Sequence, residues 1–139
     1  MGKEVTVNGR KLLKTLQREF SSKYKYLFLA FIEDSDRGKE VNVKSLNTSL
    51  TIKEVRKKFS NEEITLTGSK VVRNMEKYFW KELGIAAQIA VKDYKGKAYY
   101  FPIGDYFNGM SLTKANRWAK EKGCSIIDNV SELSGKTVF

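Results

Sequence analysis

The sequence predicts an α+β fold in which a strand–helix–strand–strand–helix (βαββα) unit occurs twice. The segment "EVTVNGRKLL" at Glu4–Leu13 is matched by "EITLTGSKVV" at Glu63–Val72, 59 residues later. Between positions 12 and 32 there are twelve apolar residues, and eleven are apolar again at the same shift, the exception being Gln88 opposite Leu29. A repeat of this length predicts two similar halves that share one core.

We therefore expect a single domain over residues 1–139, with one repeat at 4–61 and a second at 62–123. Each unit has the split-βαβ, ferredoxin-like order of elements, with helices packed on an antiparallel sheet. The tripeptide "SLT" recurs at Ser49–Thr51 and Ser111–Thr113, near the end of each unit. Residues 124–139 are expected to form a possible final strand ("CSII") and a loose tail.

The first half begins with a short strand, because apolar and polar residues alternate over Glu4–Val7 before Gly9. A helix is predicted over Arg10–Lys23, where Leu12, Leu16 and Phe20 recur every four residues. The nearly all-apolar segment Tyr24–Ile32 is typical of a strand that is covered on both faces.

After the turn "EDSDRG", the alternation of Val41 and Val43 with polar residues predicts a half-exposed return strand. Thr51 and Glu54 have the spacing of a capping box, which predicts a helix over Ile52–Phe59.

The second half repeats this order, with a strand at Glu63–Leu66 and a helix from Lys70 to Leu83 that ends at Gly84. Ile85–Val91 and Lys97–Ile103 are predicted to form a hairpin around Gly96. A last helix begins after Ser111 or Thr113 and stops at Gly123.

Composition limits the chemistry that this chain can perform. The 139 residues carry a net charge of +10, no histidine and one cysteine, Cys124. Without histidine there is no imidazole base or ligand, and one cysteine cannot build a disulfide or a metal centre within the chain. No apolar run approaches the roughly 18 residues of a membrane span, and no export signal is recognised, so we expect a cytoplasmic protein.

Three segments resemble functional loops without completing them. "DSDRGKE" has Gly38 and Lys39 at the fifth and sixth positions, where a calcium loop needs an oxygen ligand and then glycine. "VSELSGKT" has Val130 in place of the first phosphate-loop glycine, and "GDYFNGMS" has Met110 in place of the lysine. We therefore expect a protein that is not an enzyme and uses no cofactor or metal.

Basic stripes are the strongest remaining signal. On the second-half helix, four cations lie within about 80° of one another at 100° per residue, opposite the apolar stripe. The equivalent helix of the first half carries three cations. The two sets are Lys70, Arg73, Lys77 and Lys81, and Lys11, Lys14 and Arg18. Repeated cations on one side could follow a phosphate backbone; the alternative is that both are ordinary solvated helix faces.

The predicted hairpin of the second half adds Lys95, Lys97 and Tyr99 as a possible second contact. The segment "KGKAYYF" partly resembles the aromatic strand of RNA-recognition modules, whose exposed rings stack on bases. The alternative is that its aromatic residues pack in the core.

Two functions follow from these observations. The first is a non-catalytic basic module that binds nucleic acid through the helix stripes. The second is a protein-interaction or assembly protein, including self-association, that uses a sheet edge or the aromatic loop at Tyr106 and Phe107. A continuous positive face favours the first function, and an exposed apolar patch or an unpaired strand favours the second.

The helix-to-strand units "TLQREF…YLFLAFI" and "NMEKYFWKELGIAAQIAV" resemble those of short bacterial proteins built from repeated helix–strand units. The resemblance covers about Leu12–Val91. It implies no activity and no site residues.

Overall fold

The computed structural model of the protein describes residues 4–39, 43–58, 63–95, 99–102 and 104–127, which form helices and antiparallel strands in an α+β fold. The elements before residue 62 are β1 (Val5–Val7), α1 (Leu13–Lys23), β2 (Phe28–Ile32) and α2 (Ile52–Val55). Those after it are β3 (Ile64–Leu66), α3 (Val72–Tyr78), β4 (Ala86–Lys92), β5 (Tyr99–Tyr100), α4 (Asp105–Asn108) and α5 (Leu112–Glu121). A 3-10 turn at Asp34–Asp36 follows β2, and a π-helical turn at Phe79–Leu83 continues α3.

Antiparallel strand pairs join the N-terminal and C-terminal halves of the chain at two places. β1 pairs with β3, and Thr6 lies opposite Thr65, the residue 59 positions later. β2 pairs with β4, with Leu29 opposite Ile89. β5 extends the second sheet, so the described strands form the sheets β1-β3 and β2-β4-β5. The ferredoxin-like order stays a prediction.

Corresponding backbone hydrogen bonds join the start of α1 to the start of α2 and the start of α3 to the start of α5. Leu13 N donates to Leu50 O at 3.0 Å, and Val72 N donates to Met110 O at 2.9 Å. Two further pairs correspond in the same way: Ile52 N to Lys11 O with Leu112 N to Lys70 O, and Lys53 N to Gly9 O with Thr113 N to Gly68 O. These bonds place Thr51 and Ser111 at corresponding positions, whereas the "SLT" match aligned Ser49 with Ser111.

The β2-β4-β5 sheet separates two apolar clusters. Leu29 and Phe31 of β2 belong to the larger cluster, which also holds residues of α1, α3 and α5. Phe28 and Ile32 belong to the smaller cluster on the other face. All five residues of β2 are buried, as the sequence predicted for a strand covered on both faces.

Helix α1 begins three residues later than predicted, and the predicted 70–83 helix is made of α3 and the π-helical turn. Thr51 and Glu54 form the expected capping box, but α2 ends at Val55; Phe59 lies outside the described residues. The helix is short because Arg56 has extended backbone angles, with ψ 143°.

The remaining expectations for the C-terminal half are met in part. Ser111 caps α5, because its hydroxyl accepts from Lys114 N at 3.2 Å. In the predicted hairpin β5 is only two residues long; Gly96, Lys97 and Ile103 lie outside the described residues.

At two further places strands were predicted and the structure shows single bridges. Ser125 bridges Lys92 without forming a strand, and the tail beyond Ile127 is not described. Just after the predicted return strand, Ser45 bridges Ile32; Val41 and Asn42 lie outside the described residues. Among the described helices, none is both long and apolar enough to cross a membrane.

Candidate functional site

The basic stripe that the sequence predicted lies along the exposed face of α3 and the residues just before and after it. Val72, Met75 and Phe79 are buried in the larger apolar cluster, so the opposite side of the helix faces outward. On that side Arg73, Lys77 and Lys81 are exposed, and Lys70 is half-buried. None of these four side chains makes an ion pair with another described residue.

Two grooves lie beside α3, and cations line both. The larger, which we call the α3 groove, has a volume of about 490 Å³. Its lining includes Arg37, Arg73, Lys77, Lys81, Glu76 and Trp80. Lys70 and Asn74 line a second groove of about 370 Å³. Lys77 and Lys81 line both grooves, so they stand on the ridge between them.

Arg37 reaches the α3 groove from the other half of the chain. Its guanidinium carbon lies 4.2 Å from the centroid of the Trp80 ring, which is a cation–π contact. The contact brings a fourth cation to the α3 groove and keeps an aromatic ring beside it. Sequence reasoning did not identify Arg37 or Trp80 as site residues, because they are 43 positions apart and belong to no shared motif.

The turn that presents Arg37 is held by buried Asp36. The Asp36 carboxylate accepts hydrogen bonds from Lys44 N at 2.9 Å and Lys39 Nζ at 3.1 Å. These bonds lower the pKa of Asp36, the backbone bond from Lys44 being the larger cause. An ion pair between Asp34 and Lys57 ties the same turn to the segment after α2. The segment that was compared with a calcium loop therefore positions an arginine.

Among the described residues that line this groove, Glu76 is the acidic one, and sequence reasoning did not identify it. Its carboxylate accepts a hydrogen bond from Ile89 N at 3.1 Å. Burial raises the pKa of Glu76 from 4.5 to about 7, although the hydrogen bond from Ile89 and the charge of Arg37 both act to lower it. Only the fold could reveal this group, because its environment is made by α3, β4 and the Arg37 turn.

The stripe of the first half is not equivalent. Lys11 Nζ lies 2.6 Å from Glu19 Oε1 and 2.7 Å from Thr6 O, and its side chain is only 12% exposed. Lys14 is half-buried and Arg18 is exposed, but neither lines the grooves beside α3. The structure therefore gathers the stripe cations of the second half along the two grooves and does not join the first-half candidates to them.

Of the candidate residues in the predicted hairpin, Tyr99 packs against the protein and Lys95 is exposed to solvent. Tyr99 is half-buried and packs against Phe28, with ring centroids 5.2 Å apart. Lys95 is exposed, with its Nζ 5.4 Å from the Tyr94 ring. Lys97, the third candidate here, lies outside the described residues. Tyr99 therefore contributes to packing in the smaller cluster, as the alternative interpretation held.

The aromatic loop presents a single exposed ring. Tyr106 is 77% exposed, whereas Phe107 is buried with its ring centroid 5.2 Å from that of Trp118. Only Tyr106 is therefore available at a surface, because Phe107 packs from α4 against Trp118 of α5.

Among the residues that the structure describes, no group of three His, Cys, Asp or Glu side chains could hold a metal ion. Comparison of the chain with protein-family models, curated proteins and solved structures finds no match. The α3 groove therefore has to be interpreted from its own geometry.

Proposed function

We propose that this protein is a non-catalytic module that binds single-stranded nucleic acid in the α3 groove. The observation that carries the proposal is the convergence of Arg37, Arg73, Lys77 and Lys81 around one groove that also holds the Trp80 ring. Proteins that bind single strands combine a positive groove with planar groups on which bases stack. Bases stack on arginine planes as well as on aromatic rings, so the Arg37–Trp80 pair can serve as one platform.

The charge balance supports the same interpretation. Among the described lining residues of the α3 groove there are four cations and one carboxyl, and burial holds a fraction of that carboxyl in its neutral form near pH 7. The cations make no ion pairs with other described residues, so they are available to replace the counterions of a phosphate backbone. In contrast, Lys11 is already paired with Glu19.

We also propose that residues 4–61 and 62–123 are two copies of one βαββα unit within a single domain. Thr6 opposite Thr65 and the corresponding helix-to-helix hydrogen bonds support this duplication. On this proposal, the helix that carries the binding cations belongs to the second copy, because the counterparts of Trp80 and Lys81 in the first copy are Ser21 and Ser22. The first copy contributes Arg37 to the same groove.

The test is binding of fluorescently labelled single-stranded DNA, duplex DNA and RNA at about 50 and about 200 mM salt. We expect single strands to bind most tightly and to lose affinity steeply with salt. The double variant Lys77→Glu and Lys81→Glu should weaken binding of all sequences and flatten the salt dependence by about one unit of slope per cation removed.

The control that matches Lys77→Glu alone in charge is Arg18→Glu, at the first-half counterpart of Lys77. It should leave single-strand affinity within about twofold, since Arg18 does not line the groove. If the control loses as much single-strand affinity, the α3 groove is not the binding site and binding depends on the overall positive charge. No binding at the lower salt concentration would overturn the proposal.

The alternative function, protein interaction or self-association, is favoured by the exposure of Tyr106. It predicts an oligomer or complex that Tyr106→Ala disrupts, which sedimentation measurements with and without nucleic acid can detect.

A further inference from the structure

The α3 groove continues into a smaller cavity of about 220 Å³, which we call the inner cavity. Gly38, Glu76 and Gln88 line both spaces, so a chain lying in the groove can direct one group into the cavity. In the inner cavity, contacts other than charge can therefore select one ligand over another.

The lining of the inner cavity suits a flat ring with polar edges. Phe101 and Pro102 supply apolar surface, and Gln88, Asn108 and Glu76 supply hydrogen-bonding groups. A nucleobase needs this combination, because its faces bury apolar surface while its edge carries donors and acceptors. Lys39 also lines the cavity, but its Nζ is already paired with Asp36 at 3.1 Å. A phosphate there would therefore meet the Glu76 carboxylate, which would repel it.

We propose that the inner cavity binds a guanine base and that the Glu76 carboxylate accepts hydrogen bonds from its Watson–Crick edge. This inference rests on the proposed function, because it places one base of the strand that the cations hold.

The chemistry of the edge selects guanine. Guanine presents two neighbouring donors, the N1–H and the N2 amino group, and a carboxylate presents two neighbouring acceptors. The other bases place an acceptor beside their donor, which would face a carboxylate oxygen. Ile89 N already donates to Glu76 Oε2 at 3.1 Å, which fixes the carboxylate in place and leaves further acceptor capacity.

The counterpart of Glu76 in the first half shows what a structural residue at this position looks like. Gln17 stands 59 positions earlier, is 1% exposed, and donates from Nε2 to Leu29 O at 2.9 Å. Glu76 instead borders two cavities, at the cost of burying an acid. The position therefore tolerates an amide, and Glu76→Gln is a suitable substitution.

Among the described lining residues, the charged groups around Glu76 are cations, and burial of Glu76 sets the direction of a pH effect. Arg37 and Lys39 come from the turn after β2, Arg73 and Lys77 from α3, and Lys81 from the π-helical turn; Gln88 and Asn108 are neutral. Because burial raises the pKa of Glu76 to about 7, the carboxylate acceptor is depleted below that pH. The preference for guanine should therefore increase between about pH 6 and pH 8.

The experiment compares labelled strands of about ten thymidines in which one central base is guanine, adenine, cytosine or thymine. At about pH 8 the guanine strand should bind about tenfold more tightly than the thymine strand, as for one bidentate base contact. With Glu76→Gln that ratio should fall to about one. Because the substitution removes a negative charge, the ratio between strands reports base recognition independently of overall affinity.

The control Glu121→Gln removes an exposed carboxylate of α5 and should keep the ratio unchanged. As a measurement that needs no variant, the amide resonance of Ile89 should shift on addition of guanosine monophosphate and not of the other three monophosphates. Equal affinities for the four strands with an intact salt dependence would overturn guanine recognition and leave the proposed function standing. Preference for another base would also overturn it, and no binding of any strand would overturn both.

Discussion

At the scale of single residues, Gln17 and Glu76 stand 59 positions apart and occupy two different environments. Both stand on the long helix of their half, and both hydrogen-bond to a strand of the β2-β4-β5 sheet. Gln17 can donate to a carbonyl without carrying charge, which suits its complete burial. Glu76 can only accept while ionised, and burial disfavours that charge, which raises the pKa of the carboxyl to about 7. The difference of one functional group separates a structural residue from a candidate binding residue.

Glu76 makes the stability of the fold depend on pH. Its folded-state pKa of about 7 lies above the ordinary 4.5, so the folded protein holds a proton that the unfolded chain has lost. The stabilisation is complete below about pH 4.5 and is lost as the pH rises through about 7. Between about pH 5 and pH 8 the wild type should therefore lose on the order of 2 kcal/mol more unfolding free energy than Glu76→Gln.

Urea unfolding of both proteins at the two pH values measures this difference. Glu121→Gln is the control and should follow the wild type. If Glu76→Gln and the wild type lose the same free energy over this range, Glu76 is not the titrating group.

At the scale of elements, the end of α3 differs from the end of α1. α3 continues into the π-helical turn Phe79–Leu83, a feature that often marks functional sites. The turn carries Trp80 and Lys81 into the α3 groove and stops at Gly84, which has φ 66°. Leu83 O then accepts from Lys57 N at 2.9 Å, which holds the segment after α2 against the helix end.

Gly84→Ala should destabilise the protein by about 2–4 kcal/mol. The added Cβ would combine a left-handed backbone with a contact of 2.9 Å to Lys57 Cβ. The matched control is Gly123→Ala, where φ is 83° and no atom lies within 4 Å of the new Cβ. Backbone strain alone should cost that variant about 1–2 kcal/mol.

Chemical denaturation gives both free energies, and the difference between them measures the contact with Lys57. Equal losses in the two variants would show that the backbone conformation accounts for the whole effect.

At the scale of the whole molecule, the two halves share the larger apolar cluster. Phe31 of β2 and Phe79 of the π-helical turn meet edge to face with ring centroids 5.5 Å apart. The strand pairs β1-β3 and β2-β4 also cross between the halves. Unfolding of one half would therefore expose the core of the other, and we expect the described elements to unfold together.

Phe31→Ala should lower the unfolding free energy by about 3–5 kcal/mol. Both tryptophans, Trp80 and Trp118, belong to the second half, so their fluorescence reports on that half alone. In Phe31→Ala, the unfolding midpoint measured by tryptophan fluorescence should fall by the same amount as the midpoint measured by far-ultraviolet circular dichroism.

Tyr106→Ala, which changes a ring that is 77% exposed, should leave both midpoints nearly unchanged. A fluorescence midpoint that does not move in Phe31→Ala would contradict the shared core.

Local patterns in the sequence were sufficient to predict most elements. The spacing of Leu16 and Phe20, the capping box at Thr51, and the apolar run that contains β2 each depend on residues a few positions apart, and the structure confirms them. The basic side of α3 was predictable for the same reason, because helical periodicity alone puts Arg73 and Lys77 opposite Met75.

Contacts between distant residues decided the rest. The pairing of Lys11 with Glu19, the packing of Tyr99 on Phe28, and the approach of Arg37 to Trp80 depend on how the elements meet. The sequence by itself determined most of the helices and strands and the cationic side of α3, since both follow from local periodicity. Only the tertiary structure decided which cations converge and that Glu76 borders a cavity, because burial and proximity are properties of the assembled chain.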